Sequence, residues 1–186
     1  EANVPKDTIE KAIKRGSGED TTGAVLEEAM YEAFFAGKAM LLIECVTDNK
    51  NRSVSDVKTA LSKQGAKSAE QGSVRWRFDH KGVIRFDMNP GWNEKDLEAF
   101  ELLAMEMDIE DIVFEEEQVF VYTSDTAMVH VHAFLERAGY RAADADLIWI
   151  AQDQVELSAG EQEQFDTLLR ALEEIEDVKD IYHNVS

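Results

Sequence analysis

"GVIRFDMNPGWNEKDLEAFELLAM", residues 82–105, decides how the chain is parsed. Its first seven residues read as a strand. The Asn89–Gly91 break ends it, and the apolar spacing that follows predicts a helix from about Glu94 to Met107. Next come the paired strands "DIVFEE" and "QVFVYT", a helix capped by Ser124 or Asp125 and stopped at Gly139, and a strand "DLIWIA". Strand–helix–strand–strand–helix–strand is the split βαβ, ferredoxin-like order, complete within residues 82–151.

Upstream, "AMYEAFF" and "AMLLIECV" read as two strands joined by a short Gly-containing turn. A helix follows, capped by Ser53 or Asn51, with Val54, Val57, Ala60 and Leu61 on its apolar side and Gly65 at its end. "SVRWRF", residues 73–78, alternates. Val74, Trp76 and Phe78 fall on a core face and Arg75 and Arg77 on a wet one, as in a strand with one solvated side. Downstream, Phe165, Leu168, Leu169, Leu172 and Ile175 mark one more helix, and a last strand follows it. Neither has a partner nearby in sequence, so both are expected to return to the first unit.

The expected class is therefore α+β, with two ferredoxin-like units, the second inserted into the first. The first is expected to span 23–80 plus 152–186, and the acidic insert 81–151. Residues 1–22 read as the last helix of a helical module otherwise missing from the chain. Pro5 suits the first turn of that helix and Gly16 stops it.

Charge is divided unevenly within the formal net of −20. Residues 1–85 hold 14 Lys and Arg against 13 Asp and Glu; residues 86–186 hold five against 26. The second part repels polyanions, so any nucleic acid must meet the first. There, Asp48 to Arg85 carries nine basic residues and four acidic. Lys50, Asn51 and Arg52 stand at a helix start, where free N–H groups and the macrodipole attract anions. Asn49, Ser53, Lys58 and Lys63 belong to the same stretch, and Arg75 and Arg77 are assigned to the adjacent strand. On the first helix Lys6, Lys14 and Arg15 would assist.

Other chemistry finds little support. The four histidines have no metal spacing, and neither a nucleophile elbow nor a phosphate loop is present. No metal, cofactor or catalytic residue is assigned. Cys45, the single cysteine, reads as a small buried hydrophobe, and Trp76 and Trp149 read as core residues. Trp92 is loop-borne. No apolar run is long enough for a membrane span, so a soluble, cytoplasmic protein is expected.

Three stretches carry a resemblance. "NVPKDTIEKAIKRGSGE", the segment from "IECVTDNKNRSVSD" to "KGVI", and the closing "VKDIYHN" closely resemble the YebC family, in the same order along the chain. Its mitochondrial relatives activate translation of cytochrome oxidase, which would place an organellar member in the matrix. The resemblance implies an N-terminal helical bundle and two α/β domains, one interrupting the other. It also implies a non-enzymatic regulator that binds DNA, or RNA at the ribosome. Thr47, Asp48, Asn49, Asn51, Arg52 and Ser53 match the family's T-D-N-x-N-R-[ST] element. The family's glycine-rich loop here reads "YEAFFAGK", with only Tyr31, Glu32 and Gly37 retained.

The leading expectation is thus an RNA- or ribosome-associated translation factor, with a DNA-binding transcriptional regulator as the alternative. Basic proteins are candidate partners for the acidic insert. A protein-interaction or ligand-sensing module is the reading from another class.

Overall fold

The computed structural model describes residues 26–88, 93–115 and 117–186. The first-helix residues Lys6, Lys14 and Arg15, and the loop residue Trp92, lie outside them.

Strands β1 (Glu27–Phe35) and β2 (Ala39–Thr47) form an antiparallel hairpin, in register from Glu27 opposite Thr47 to Phe35 opposite Ala39. Lys38 N–H closes the turn on the Phe35 carbonyl at 3.2 Å. Positive φ at Ala36 (51°) and Gly37 (73°) gives the turn a twist that suits a hairpin. Helix α1 (Lys50–Lys63) and the two-residue strand β3 (Lys67–Ser68) follow. Near the C-terminus come the last helix (Ala159–Glu173) and the last strand (Val178–His183).

Between these segments lies a second set of elements. Strand β4 (Phe78–Asp87), helix α2 (Glu94–Ala104), β5 (Asp111–Glu115), β6 (Gln118–Ser124), helix α3 (Met128–Arg137) and β7 (Asp144–Ala151) build a sheet of their own. The last helix is therefore α4 and the last strand β8. The first sheet runs β3-β1-β2-β8 and the second β5-β6-β4-β7, with antiparallel neighbours throughout.

Strand alternation sends each face of the first sheet to a different core. Ala33, Phe35, Leu41, Ile43 and Cys45 meet Val57 and Leu61 of α1 and Phe165, Leu168 and Leu172 of α4. Each fully buried Leu or Phe contributes on the order of 2 kcal/mol relative to exposure. On the opposite face Leu42 packs with Val74 and Phe78, flanked by Met30, Phe34, Trp149 and Tyr182. Phe78 and Trp149 come from the second sheet, which also has a core of its own. Ile84, Phe86, Val119 and Val121 pack on Phe100 and Ala104 of α2 and on Val131 and Leu135 of α3. Gly82 is required there, because a Cβ on it would lie 2.5 Å from both Met128 Cβ and Thr123 Oγ1.

Four local expectations change. The first sheet has a sequence-adjacent hairpin at its centre, where the split βαβ order has strands far apart in sequence. Its three-residue turn makes β1 and β2 neighbours, and β3 and β8 can then add only at the edges. Residues 73–77 are not a strand. Arg75–Arg77 form a 3₁₀ turn, and β4, which begins at Phe78, belongs to the second sheet. The cause is Glu32, a buried carboxylate that accepts the N–H groups of Gly72 (2.5 Å), Val74 (2.5 Å) and Arg75 (3.1 Å) and so curls the backbone. The curl breaks the alternation, and Trp76 is 63% exposed instead of buried. The cap of α1 is Asn49, not Ser53 or Asn51; Ser53 is fully buried in the first turn. Helix α3 starts at Met128 without a side-chain hydrogen bond from its N-cap residue, although Ser124 Oγ still accepts Ala127 N–H at 3.2 Å.

Candidate nucleic-acid interface

The start of α1 is tied down from three directions. Asn49 Oδ1 accepts the N–H groups of Asn51 (3.1 Å) and Arg52 (3.2 Å), which fills part of the helix's own anion cradle. Asn49 N–H donates to Thr47 Oγ1 at 2.9 Å, and the Thr47 hydroxyl donates to Asp177 Oδ2 at 3.0 Å. Arg52 spreads its guanidinium over two acids. Nη2 donates to Asp177 Oδ1 (2.7 Å) and to Asp48 Oδ1 (2.9 Å), and Nε donates to Asp177 Oδ2 (3.3 Å). Asp177 stands just before β8, and its carbonyl accepts Val46 N–H at 2.8 Å. The hydrogen bond from Arg52 holds the Asp177 carboxyl below its ordinary range, against the opposing effect of burial. The same bond raises Arg52 further above its already high value. Thr47 to Arg52 is thus a lock between the helix start and the returning tail.

The other predicted cations divide by what they touch. Lys50 is paired with Glu27, whose hydrogen bond raises its pKa. Arg77 is paired with Asp153, and its guanidinium lies 4.8 Å from the Trp76 ring centroid. Arg75 sits over Trp149 at 4.4 Å, and His80 stacks on the same indole at 4.4 Å. Lys58, Lys63 and Arg75 carry no ion pair among the described residues, and neither does Lys67 on β3.

A cleft of about 520 Å³ runs between α1 and the β1–β3 edge. Its lining includes Lys50, Asn51 and Lys58 from α1, Glu28, Tyr31 and Glu32 from β1, and Ser68 and Gln71 beyond. The Tyr31 hydroxyl donates to the Lys50 carbonyl at 3.4 Å. Lys50, Asn51 and Lys58 are therefore brought together, whereas Arg52 is turned to the tail and Arg75 and Arg77 sit on a separate turn. Asp177 was not singled out in the sequence, and Glu32 only as a retained family residue, since their roles rest on partners 125 and about 40 residues away. Lys67 was legible only as one more charge in the basic stretch.

Residues 26–185 match the family model described as TACO1/YebC second and third domain. The chain belongs to that family. A probable transcriptional regulatory protein of Kosmotoga olearia is 41% identical over 98% of this chain and 71% of its own length. One from Trichlorobacter lovleyi is 38% identical with the same coverage. The crystal structure of a conserved hypothetical protein from Aquifex aeolicus superposes with a TM-score of 0.78 at 31% identity, covering all of this chain and 74% of that one. The family's T-D-N-x-N-R element is, in this member, the lock on α1 together with the approach to the cleft. Its K-G-V-I element, residues 81–84, contains Gly82, which lets α3 sit close to β4. No helix among the described residues is long and apolar enough to cross a membrane.

Proposed function

We infer that this chain is a non-enzymatic regulator of gene expression that binds RNA as a ribosome-associated translation factor. One observation carries the reading: Lys58, Lys63, Lys67 and Arg75 carry no ion pair among the described residues, and Lys58 lines the cleft. Cations already spent on carboxylates gain little from a phosphate, whereas unpaired ones release counterions in full. Trp76, 63% exposed beside Arg77, offers a face on which an unpaired base can stack. Asn51 and Lys58 line the phosphate track, while Asn49 and Arg52 fix the helix that carries them.

The second reading is a DNA-binding transcriptional regulator, favoured by the printed names of the relatives. No described helix offers an array of base-reading side chains, and an exposed tryptophan suits a single strand better than a groove. The strand order β5-β6-β4-β7 with both helices on one face supports a ferredoxin-like inserted domain. On this reading its limits are about 78–151, close to the expected 81–151, since Gln152 N–H meets the Arg77 carbonyl at 2.9 Å beside both junctions.

Salt titration of binding to oligouridylate and to duplex DNA tests the reading. Replacing Lys58, Lys63 and Lys67 with Ala should reduce the slope of log affinity against log salt by about 2 for the single strand. Trp76→Ala should weaken oligouridylate more than duplex. Tighter binding of duplex, insensitive to Trp76, would favour the DNA reading; no binding of either at low salt would end both.

A further inference from the structure

The first sheet is covered on both faces and the second on one. Its register settles which residues lie on the open side. Val113 is opposite Phe120, which is opposite Arg85, which is opposite Asp144. In the next row Asp111, Tyr122, Val83 and Asp146 follow one another across the sheet. No residue on this face is buried, although it bears two aromatic rings on a central strand and Val83, Val113 and Ile148 around them. The buried partners of the same strands, Ile84, Val119 and Val121, all point to the helices.

The charges on this face are lopsided. Asp79, Asp87, Asp111, Glu115, Asp144 and Asp146 alternate onto it, against Lys81 and Arg85. Both cations are already held, Lys81 by Glu110 and Arg85 by Asp87 at 3.0 Å. Burial among its neighbours raises the Tyr122 phenol, and the charges of Glu115 and Asp111 add to the shift; Asp111 lies directly opposite Tyr122 on the neighbouring strand.

We propose that this open face of the second sheet docks a Lys/Arg-rich, and preferentially Arg-rich, segment of a partner protein. Guanidinium groups stack on Phe120 and Tyr122 while the flanking carboxylates accept their N–H groups. A polyanion is repelled by the same carboxylates, so the nucleic acid of the previous section belongs on the other half of the molecule. The two surfaces are independent, and either can fail without the other.

The test uses the full chain with synthetic oligoarginine and oligolysine peptides of equal length. Oligoarginine is expected to bind more tightly than oligolysine and to perturb the NMR signals of Phe120 and Tyr122. The triple change Asp111→Asn, Asp144→Asn and Asp146→Asn should weaken oligoarginine at least about tenfold, as expected for removing complementary charge. These positions are exposed, and asparagine keeps an accepting oxygen for the Asp111 bond to Ile112 N–H and the Asp144 bond to Ala145 N–H. The matched change Glu163→Gln, Glu173→Gln and Glu174→Gln, on exposed positions of α4 and its C-cap, should cost much less. Phe120→Leu should erase the preference for arginine, with thermal melts confirming the fold. Equal losses in the two triple variants, equal binding of both peptides, no peptide binding, or oligouridylate perturbing Phe120 and Tyr122 in place of the peptide would each overturn the proposal.

Discussion

Ala36 sits in the β1–β2 turn at φ 51°, a conformation that costs a residue with a Cβ about 1 kcal/mol. Ala36→Gly relieves that strain and should raise the denaturant midpoint, by less than the full amount because glycine also loosens the unfolded chain. Gly82 is the opposite case. A Cβ there meets Met128 and Thr123 at 2.5 Å, and the Thr123 atom lies on the neighbouring strand. Gly82→Ala should destabilise the second sheet by about 1–3 kcal/mol through overpacking, seen as a lower melting temperature. The Ala36 effect depends on the local backbone, the Gly82 effect on tertiary neighbours. Only the turn at Gly37 could be read from sequence, because what crowds Gly82 comes from α3, 46 residues further on.

At the scale of elements, the junction of α1 with β8 is the sensitive place. Asp177 is buried, hydrogen-bonded by Thr47 and Arg52, and its carboxyl is held below the ordinary range. A carboxyl depressed in the folded state stabilises above its unfolded pKa, and that contribution is lost as pH falls through the folded value. His183, lowered by burial, acts with the same sign below its ordinary value of about 6.5. Acidification from neutral pH should thus lower the melting temperature in two stages, first through His183 and then below about pH 4 through Asp177. Asp177→Asn should remove the second stage and cost about 1–3 kcal/mol at neutral pH. A pH profile unchanged by Asp177→Asn would show that the lock contributes little. Because Arg52 serves this lock, Arg52→Ala should lower stability along with any loss of RNA binding, while Lys58→Ala should affect binding alone.

For the whole molecule, the decisive contact is the one between the two sheets. Leu42, Val74 and Phe78 join them through Trp149 and Tyr182, and the chain enters and leaves the second sheet at hydrogen-bonded neighbours, Arg77 and Gln152. Residues 78–151 own a complete core and should fold when expressed alone, giving a cooperative melt. Joining Arg77 to Gln152 through a short Gly-Ser link should leave the first sheet folded but less stable, since Phe78 and Trp149 no longer cover Leu42. Loss of all cooperative unfolding in either piece would show that the two cores form one unit.

The sequence by itself determined most of the element types and the division of charge into a near-neutral first part and a strongly acidic second. Each of these follows from local periodicity, from turn residues or from a count. Val57, Leu61, Phe165, Leu168 and Leu172 were legible as core because a helix repeats its apolar face every three to four residues. Tertiary structure alone decided the roles of the basic residues. Arg52 looked free until Asp177 arrived from the far end of the chain, and Arg75 and Arg77 looked like a strand face until Glu32 drew their backbone into a turn. A charge or an alternation is a property of neighbours in sequence, but whether it is satisfied depends on groups that only folding brings within hydrogen-bonding distance.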